Sequence, residues 1–199
     1  YDEDVIEKKL VAIGQSWVDS LDQLLRKNFK EDRACELFGK YRAAFSAGYR
    51  ESFFGSSIVF DINKIERLLD SVPLEMHLYR KPKATKKNLH LKLYRRDETI
   101  PLSDAIPILE NMGFRVLGEE SFKVVLGENN IVWINDFSLL LNNDVVDDIS
   151  DIDLIFYESF LAVWFGKAEN DGFNKLVISS RLTWREISLI RAYSKYFRQ

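Results

Sequence analysis

Between residues 74 and 95 the apolar residues change their spacing, and that change constrains the fold more than any other feature of the chain. LEMHLYR (74 to 80) and LHLKLYR (89 to 95) carry an apolar residue at every second position, Leu74, Met76 and Leu78 in one and Leu89, Leu91 and Leu93 in the other. That is the period of a strand with one covered face. The intervening RKPKATKKN makes the pair a hairpin with a basic loop. Upstream the spacing is three and four. Ile6, Leu10, Ile13, Trp17, Leu21 and Leu24 predict a long amphipathic helix from Asp4 to about Arg26. Ala34, Leu37, Phe38, Tyr41 and Phe45 predict a second helix folded back on it, with Cys35 one position off the stripe as a partly covered thiol. Asp61 is placed to cap a short helix carrying Ile62, Ile65, Leu68 and Leu69, stopped before Pro73.

Downstream, Ser103 is placed to cap a helix through Ile106, Leu109 and Met112 that ends at Gly113, a residue tolerant of the left-handed conformation. FRVLGEESFKVV (114 to 125) and NIVWINDF (130 to 137) read as two more strands. Ser150-x-x-Asp153 has the form of a capping box before an apolar helix with Ile152, Ile155, Phe156, Phe160, Val163 and Trp164, ending near Gly166. Thr183-x-x-Glu186 is a second box, opening a helix with Ile187, Ile190 and Phe197 on its inner side. The stretch 172 to 180 suits a short helix capped by Asp171 or a strand at KLVIS.

The middle of the chain thus runs strand, strand, helix, strand, strand, helix. Moving the last strand of a ferredoxin-like sheet to the front produces that order. Residues 74 to 80 then pair with 89 to 95, and the helices 103 to 112 and 150 to 166 cover one face. The expected fold is α+β, a ferredoxin-like, ACT-like four-stranded antiparallel sheet flanked by N-terminal and C-terminal helical segments. A plain four-stranded meander is the competing layout. The expected divisions are a helical segment over 1 to 72, the α+β domain over 73 to 167 and a helical linker over 168 to 199.

Several chemistries are disfavoured by what the chain lacks. Of its nine glycines no two are spaced as a dinucleotide turn or a phosphate-binding loop requires. One cysteine cannot close an intramolecular disulfide, and with His77 and His90 it cannot build a zinc cluster. Both histidines fall on strand positions expected to face solvent. No catalytic, cofactor-binding or metal-ligating residue is assigned. No apolar run approaches the length of a membrane helix, so no membrane partner is expected and the chain is read as cytoplasmic. It begins at Tyr1 and is read as a piece of something longer.

Charge is unevenly distributed along the chain. Residues 74 to 96 hold eight Lys or Arg against one Glu, and residues 119 to 158 hold ten acids against one Lys. A solvated hairpin tip explains the basic run better than nucleic acid does. The acidic run DVVDDISDID lacks the spacing and central glycine of a calcium loop.

WFGKAENDGFNKLVISSRLTWREISLIRAYSKYFRQ (164 to 199) resembles a stretch of the large bacterial NAD-dependent glutamate dehydrogenases. KYRAAFSAGYRESF (40 to 53), DINKIERL (61 to 68), LKLYRRDETIPLSDAIPILENMGFRVL (91 to 117) and WINDF (133 to 137) resemble the same family in the same order. The lysine-heavy hairpin departs from the family pattern. The resemblance implies a regulatory or assembly segment upstream of the catalytic domain, in a region of helical segments and ACT-like domains. It implies a parent enzyme that oxidises L-glutamate to 2-oxoglutarate and ammonia with NAD, the cofactor being bound outside this segment. The partners it implies are other domains of the same chain, a homo-oligomer and an amino-acid effector. The effector position implied by ACT-like folds falls on Pro101, Leu102, Ser103 and Asp104, where capping alone is the competing account. Glu169, Asn170, Asp171 and Asn174 form a second polar group, expected to order a domain junction. A purely structural spacer without a ligand is the alternative function.

Overall fold

The computed structural model describes residues 17–70, 72–82, 84–127, 130–142 and 148–197. Ile6, Leu10 and Ile13, the first half of the predicted N-terminal helix, lie outside them, as do Lys83 and most of the acidic run. Among the described residues, helix α1 spans 17–28, followed by α2 (Glu31–Tyr41), α3 (Ala47–Ser52) and α4 (Ser56–Asp70). Strands β1 (Glu75–Tyr79) and β2 (Asn88–Arg96) come next, then α5 (Leu102–Asn111), β3 (Phe114–Val125) and β4 (Ile131–Leu141). Helices α6 (Asp153–Trp164), α7 (Leu176–Ser179) and α8 (Trp184–Tyr196) close the chain.

The four strands form one antiparallel sheet in the order β1-β2-β4-β3. This is the ferredoxin-like order with its outer strand supplied from the front, and it excludes the meander, in which β3 would lie beside β2. β4 runs four residues past Phe137, because Leu139 and Leu141 continue the alternation of buried positions.

The chain divides into two compact units. One comprises the chain up to Glu75 with Tyr94–Thr99 and Ser121–Ile134. Its core joins Leu21, Leu25, Leu37, Ile58, Ile62 and Ile65 to Val124, Val132 and Ile134. An aromatic ladder runs through it: Phe45 stacks on Tyr49 at 4.3 Å, Tyr49 lies 4.8 Å from Phe53, and both meet the edge of Phe122. The other unit comprises Met76–Leu93, Ile100–Glu120 and the chain from Asn135 onward. There α5 packs on α6, with Phe114 edge-on to Phe156 at 5.5 Å and Phe160 stacked on Trp164.

Several local expectations are corrected. Helix α2 ends at Tyr41, and Phe45 lies beyond it in an isolated bridge to Val124. Cys35 is exposed rather than partly covered. Asp61 caps nothing: α4 starts five residues earlier, after Gly55 at φ +64°, and Asp61 lies inside it, buried, accepting hydrogen bonds from the hydroxyls of Tyr49 and Tyr94 (the latter at 2.6 Å). Ser103 does not cap α5. Pro101 holds the N-cap position and its carbonyl accepts from Asp104 and Ala105, leaving Ser103 in the first turn. Gly113 does adopt the left-handed conformation, at φ +97°. The Ser150 box does not form, because a 3₁₀ turn at Ile149–Asp151 precedes α6 and the Asp148 carboxylate takes the Ser150 N–H. On α8 the Thr183–Glu186 box forms in full and Ile187 is buried, while Ile190 and Phe197 face outward. The stretch after Asp171 is helical: a 3₁₀ turn, Gly172–Lys175, capped by the Asp171 side chain and continued by α7.

Candidate functional site

Two polar clusters lie within the second unit. The first sits on one face of the sheet. Residues 77 and 79 share a face of β1, and 90 and 92 share a face of β2, because side chains alternate along a strand. The Tyr79 hydroxyl donates to Asp136 Oδ2 at 2.7 Å, and His90 Nδ1 lies 3.3 Å from Asp136 Oδ1. His77 stacks on Tyr79 at 5.2 Å, His90 approaches it from the neighbouring strand at 5.2 Å, and Lys92 Nζ lies 5.5 Å from the Tyr79 ring centre. The histidines are therefore half-buried members of a network rather than solvent-facing. Lys92, at 1% exposure, and Asp136, at 3%, are buried. Sequence alternation marked these positions as a polar face, and the covering of that face is what it missed.

The second cluster gathers the predicted junction residues around an arginine that sequence reading passed over. Arg191 of α8 is 4% exposed. Its Nε donates to Asp171 Oδ2 at 2.7 Å, and its Nη2 to Asp171 Oδ1 and Asn174 Oδ1, both at 3.0 Å. Asn174 Nδ2 donates to the Glu169 carbonyl at 3.0 Å, and Lys195 Nζ reaches the Glu169 carboxylate at 2.8 Å. Asn170 accepts from Asn111 at the end of α5. Thus Glu169, Asn170, Asp171 and Asn174 are brought together, and Arg191 is their hub. Hydrogen bonds from Arg191, outweighing burial and helped by the Phe173 N–H, hold the Asp171 carboxyl below the usual carboxylate range. The signal for Arg191 was available: it falls on the same helical side as Ile187, four residues earlier.

Pro101, Leu102, Ser103 and Asp104 are all exposed at the start of α5. The Ser103 hydroxyl lies 3.2 Å from Asp104 Oδ1. No group of three His, Cys, Asp or Glu among the described residues is placed to hold a metal ion. The left-handed glycines 55, 113, 127 and 166 follow helices or join β3 to β4, and none lies between a strand and the helix after it. No described helix is long and apolar enough to cross a membrane.

Comparison with known proteins agrees with this architecture. Residues 73–153 match the glutamate dehydrogenase ACT3 domain, residues 24–68 its helical motif 2 and residues 168–199 its helical motif 3. The chain is 38% identical over its whole length to an NAD-specific glutamate dehydrogenase of Halomonas elongata, of which it covers 12%. It is 34% identical over 98% of its length to one of Pseudomonas aeruginosa, again 12% of that protein. With one of Mycobacterium tuberculosis it shares 32% over 80% of its length, 10% of that protein. With three of that family's segments matched in order, and relatives aligned across its length, the chain belongs to the NAD-specific glutamate dehydrogenase family, as the segment holding helical motif 2, the ACT3 domain and helical motif 3.

Proposed function

We propose that this segment is a non-catalytic regulatory and assembly module of an NAD-dependent glutamate dehydrogenase. The complete polypeptide would oxidise L-glutamate to 2-oxoglutarate and ammonia, reducing NAD to NADH, at residues outside the segment. Its place would be amino-acid catabolism in the cytoplasm. The observation that carries this is the strand order β1-β2-β4-β3 with α5 and α6 in the stretch matched to the ACT3 domain.

The assembly half rests on α8. Leu189, Tyr193, Tyr196 and Phe197 are 62 to 79% exposed, and Ile190 joins them at 38%. At 100° per residue they form one stripe on the side away from Ile187 and Arg191. An apolar stripe on a helix already docked by its other side suits a second packing surface. The occupant we assign to it is the remainder of the same polypeptide, since the shared region is 12% of the relatives' length. Other domains of the chain, and through them a homo-oligomer, are the partners. A spacer without any ligand is the second reading, favoured by the Ser103 side chain lying against Asp104 at the effector position.

The test is Leu189→Glu with Tyr193→Lys in the complete dehydrogenase. Sedimentation should show loss of subunit association, or glutamate-dependent NADH formation should fall, while the 199-residue chain bearing the same changes unfolds at its unaltered temperature. Unchanged assembly together with unchanged kinetics would overturn the proposal.

A further inference from the structure

Helix α6 is apolar almost all the way round. Its sequence, DLIFYESFLAVW, carries charge at Asp153 and Glu158 alone. A helix of that composition is ordinarily enclosed on every side, and here only one side is enclosed, by the burial of Phe156, Phe160 and Val163. On the opposite side Leu154 is 68% exposed and Phe165, at the C-cap, 45%. Leu154, Glu158, Leu161 and Phe165 follow one another at intervals of four, three and four. At 100° per residue they stay within about 60° of arc, which makes a straight seam about 16 Å long. That is the spacing along which a second helix packs.

The carboxylate in the seam selects the occupant. Glu158 is exposed, and the positions one turn away on either side are Leu154, Ile155, Leu161 and Ala162, so α6 supplies it with no cation at the usual helical spacing. Two copies of α6 laid antiparallel about the middle of the seam would bring their Glu158 carboxylates within about one turn of each other, and a parallel pair would set them directly opposite. Either arrangement dries like charges together, so the seam does not suit itself. The cation has to come with a different helix. The region shared with the relatives is 12% of their length, which leaves ample polypeptide to provide one. We propose that the outer side of α6 is covered by an amphipathic helix from the remainder of the same polypeptide, its apolar residues laid along Leu154, Leu161 and Phe165 and a Lys or Arg set opposite Glu158. This rests on the assembly reading proposed above and adds to it a second surface and the chemistry of its occupant.

The experiment places a photoreactive residue in the complete dehydrogenase by Leu154→p-benzoylphenylalanine, irradiates it and maps the joined peptides by mass spectrometry. Capture should fall within one polypeptide, on a stretch outside the 199 residues that holds a Lys or Arg about four residues from the captured position, the offset between Leu154 and Glu158. Added to that protein, Glu158→Lys should cut the yield about tenfold and Glu158→Gln by less. Reversing the captured cation to Glu in the Glu158→Lys protein should restore the yield to within about twofold, which separates a lost contact from a lost fold. Capture of a second copy, no capture at all, or a reversed pair that fails to restore the yield would overturn the proposal. If Leu154 captures nothing while the α8 stripe variants still disrupt assembly, this inference fails alone; if capture and charge reversal hold while the stripe variants are silent, the α8 proposal fails alone.

Discussion

Replacing Arg191 with methionine keeps most of the aliphatic volume on α8 and removes a guanidinium whose side chain is 5% exposed. Three short hydrogen bonds disappear, two to Asp171 and one to Asn174. Removing one partner of a fully buried ion pair costs about 3–5 kcal/mol, chiefly because the other charge is stranded. Asp171 is 35% exposed and regains water when freed, so its share is reduced by solvent screening and the expected loss is about 2–3 kcal/mol. Urea denaturation at neutral pH would read this as a midpoint lowered by about 1 M at unchanged slope. The loss should also depend on pH. The folded-state pKa of Asp171 is depressed, first by its hydrogen bonds from Arg191, so the pairing contributes fully above the ordinary aspartate value of about 3.9 and fades as pH falls through the lower folded value. The gap between wild type and Arg191→Met should therefore be constant above about pH 5 and narrow below about pH 4. A neutral-pH loss under about 0.5 kcal/mol, or a gap that does not close in acid, would refute the role of Arg191 as the organiser of this cluster.

Asp61→Ala should destabilise the chain by about 2–4 kcal/mol in thermal unfolding, since it removes the carboxylate that two buried tyrosine hydroxyls share, whereas Tyr94→Phe should cost only about 1 kcal/mol because Tyr49 still bonds Asp61. Burial pushes the Glu66 carboxyl upward, but hydrogen bonds from Lys40, Tyr41 and Arg33 outweigh it and bring the group below its ordinary value. Glu66→Gln should accordingly cost about 1–2 kcal/mol at neutral pH and remove part of the acid sensitivity below about pH 4.3, measured by denaturation across that range. Thr183→Ala should cost about 1 kcal/mol and speed amide exchange in the first turn of α8, leaving α6 unchanged.

The sheet was legible because Leu74 to Leu78 and Leu89 to Leu93 alternate strictly, and because an order of strand and helix admits few topologies. The Thr183–Glu186 box was legible because both of its partners lie within one turn. What failed was local chemistry decided by distant chain. Asp61 precedes an apolar run as an N-cap would, yet its partners come from α3 and β2, and those hydroxyls draw it into a helix interior. Ser103 lost its capping role to Pro101, whose fixed φ suits the N-cap position and whose carbonyl starts the helix. Glu169 to Asn174 could be seen as a polar group, but the residue that gives it meaning is Arg191, 17 residues past Asn174 on a helix whose charged positions read as surface.

β2 has Leu89, Leu91 and Leu93 buried on one side and Lys92 and Tyr94 buried on the other. Sliding such a strand by a single residue would thrust an ammonium into oil and drop leucines among imidazole, phenol and carboxylate, so error is punished from both directions at once. Most sheets guard their alignment with one greasy side and leave the other indifferent. Here the wet side is a second lock, and it gives the ionisable groups kept out of water along this strand a part in fixing its alignment.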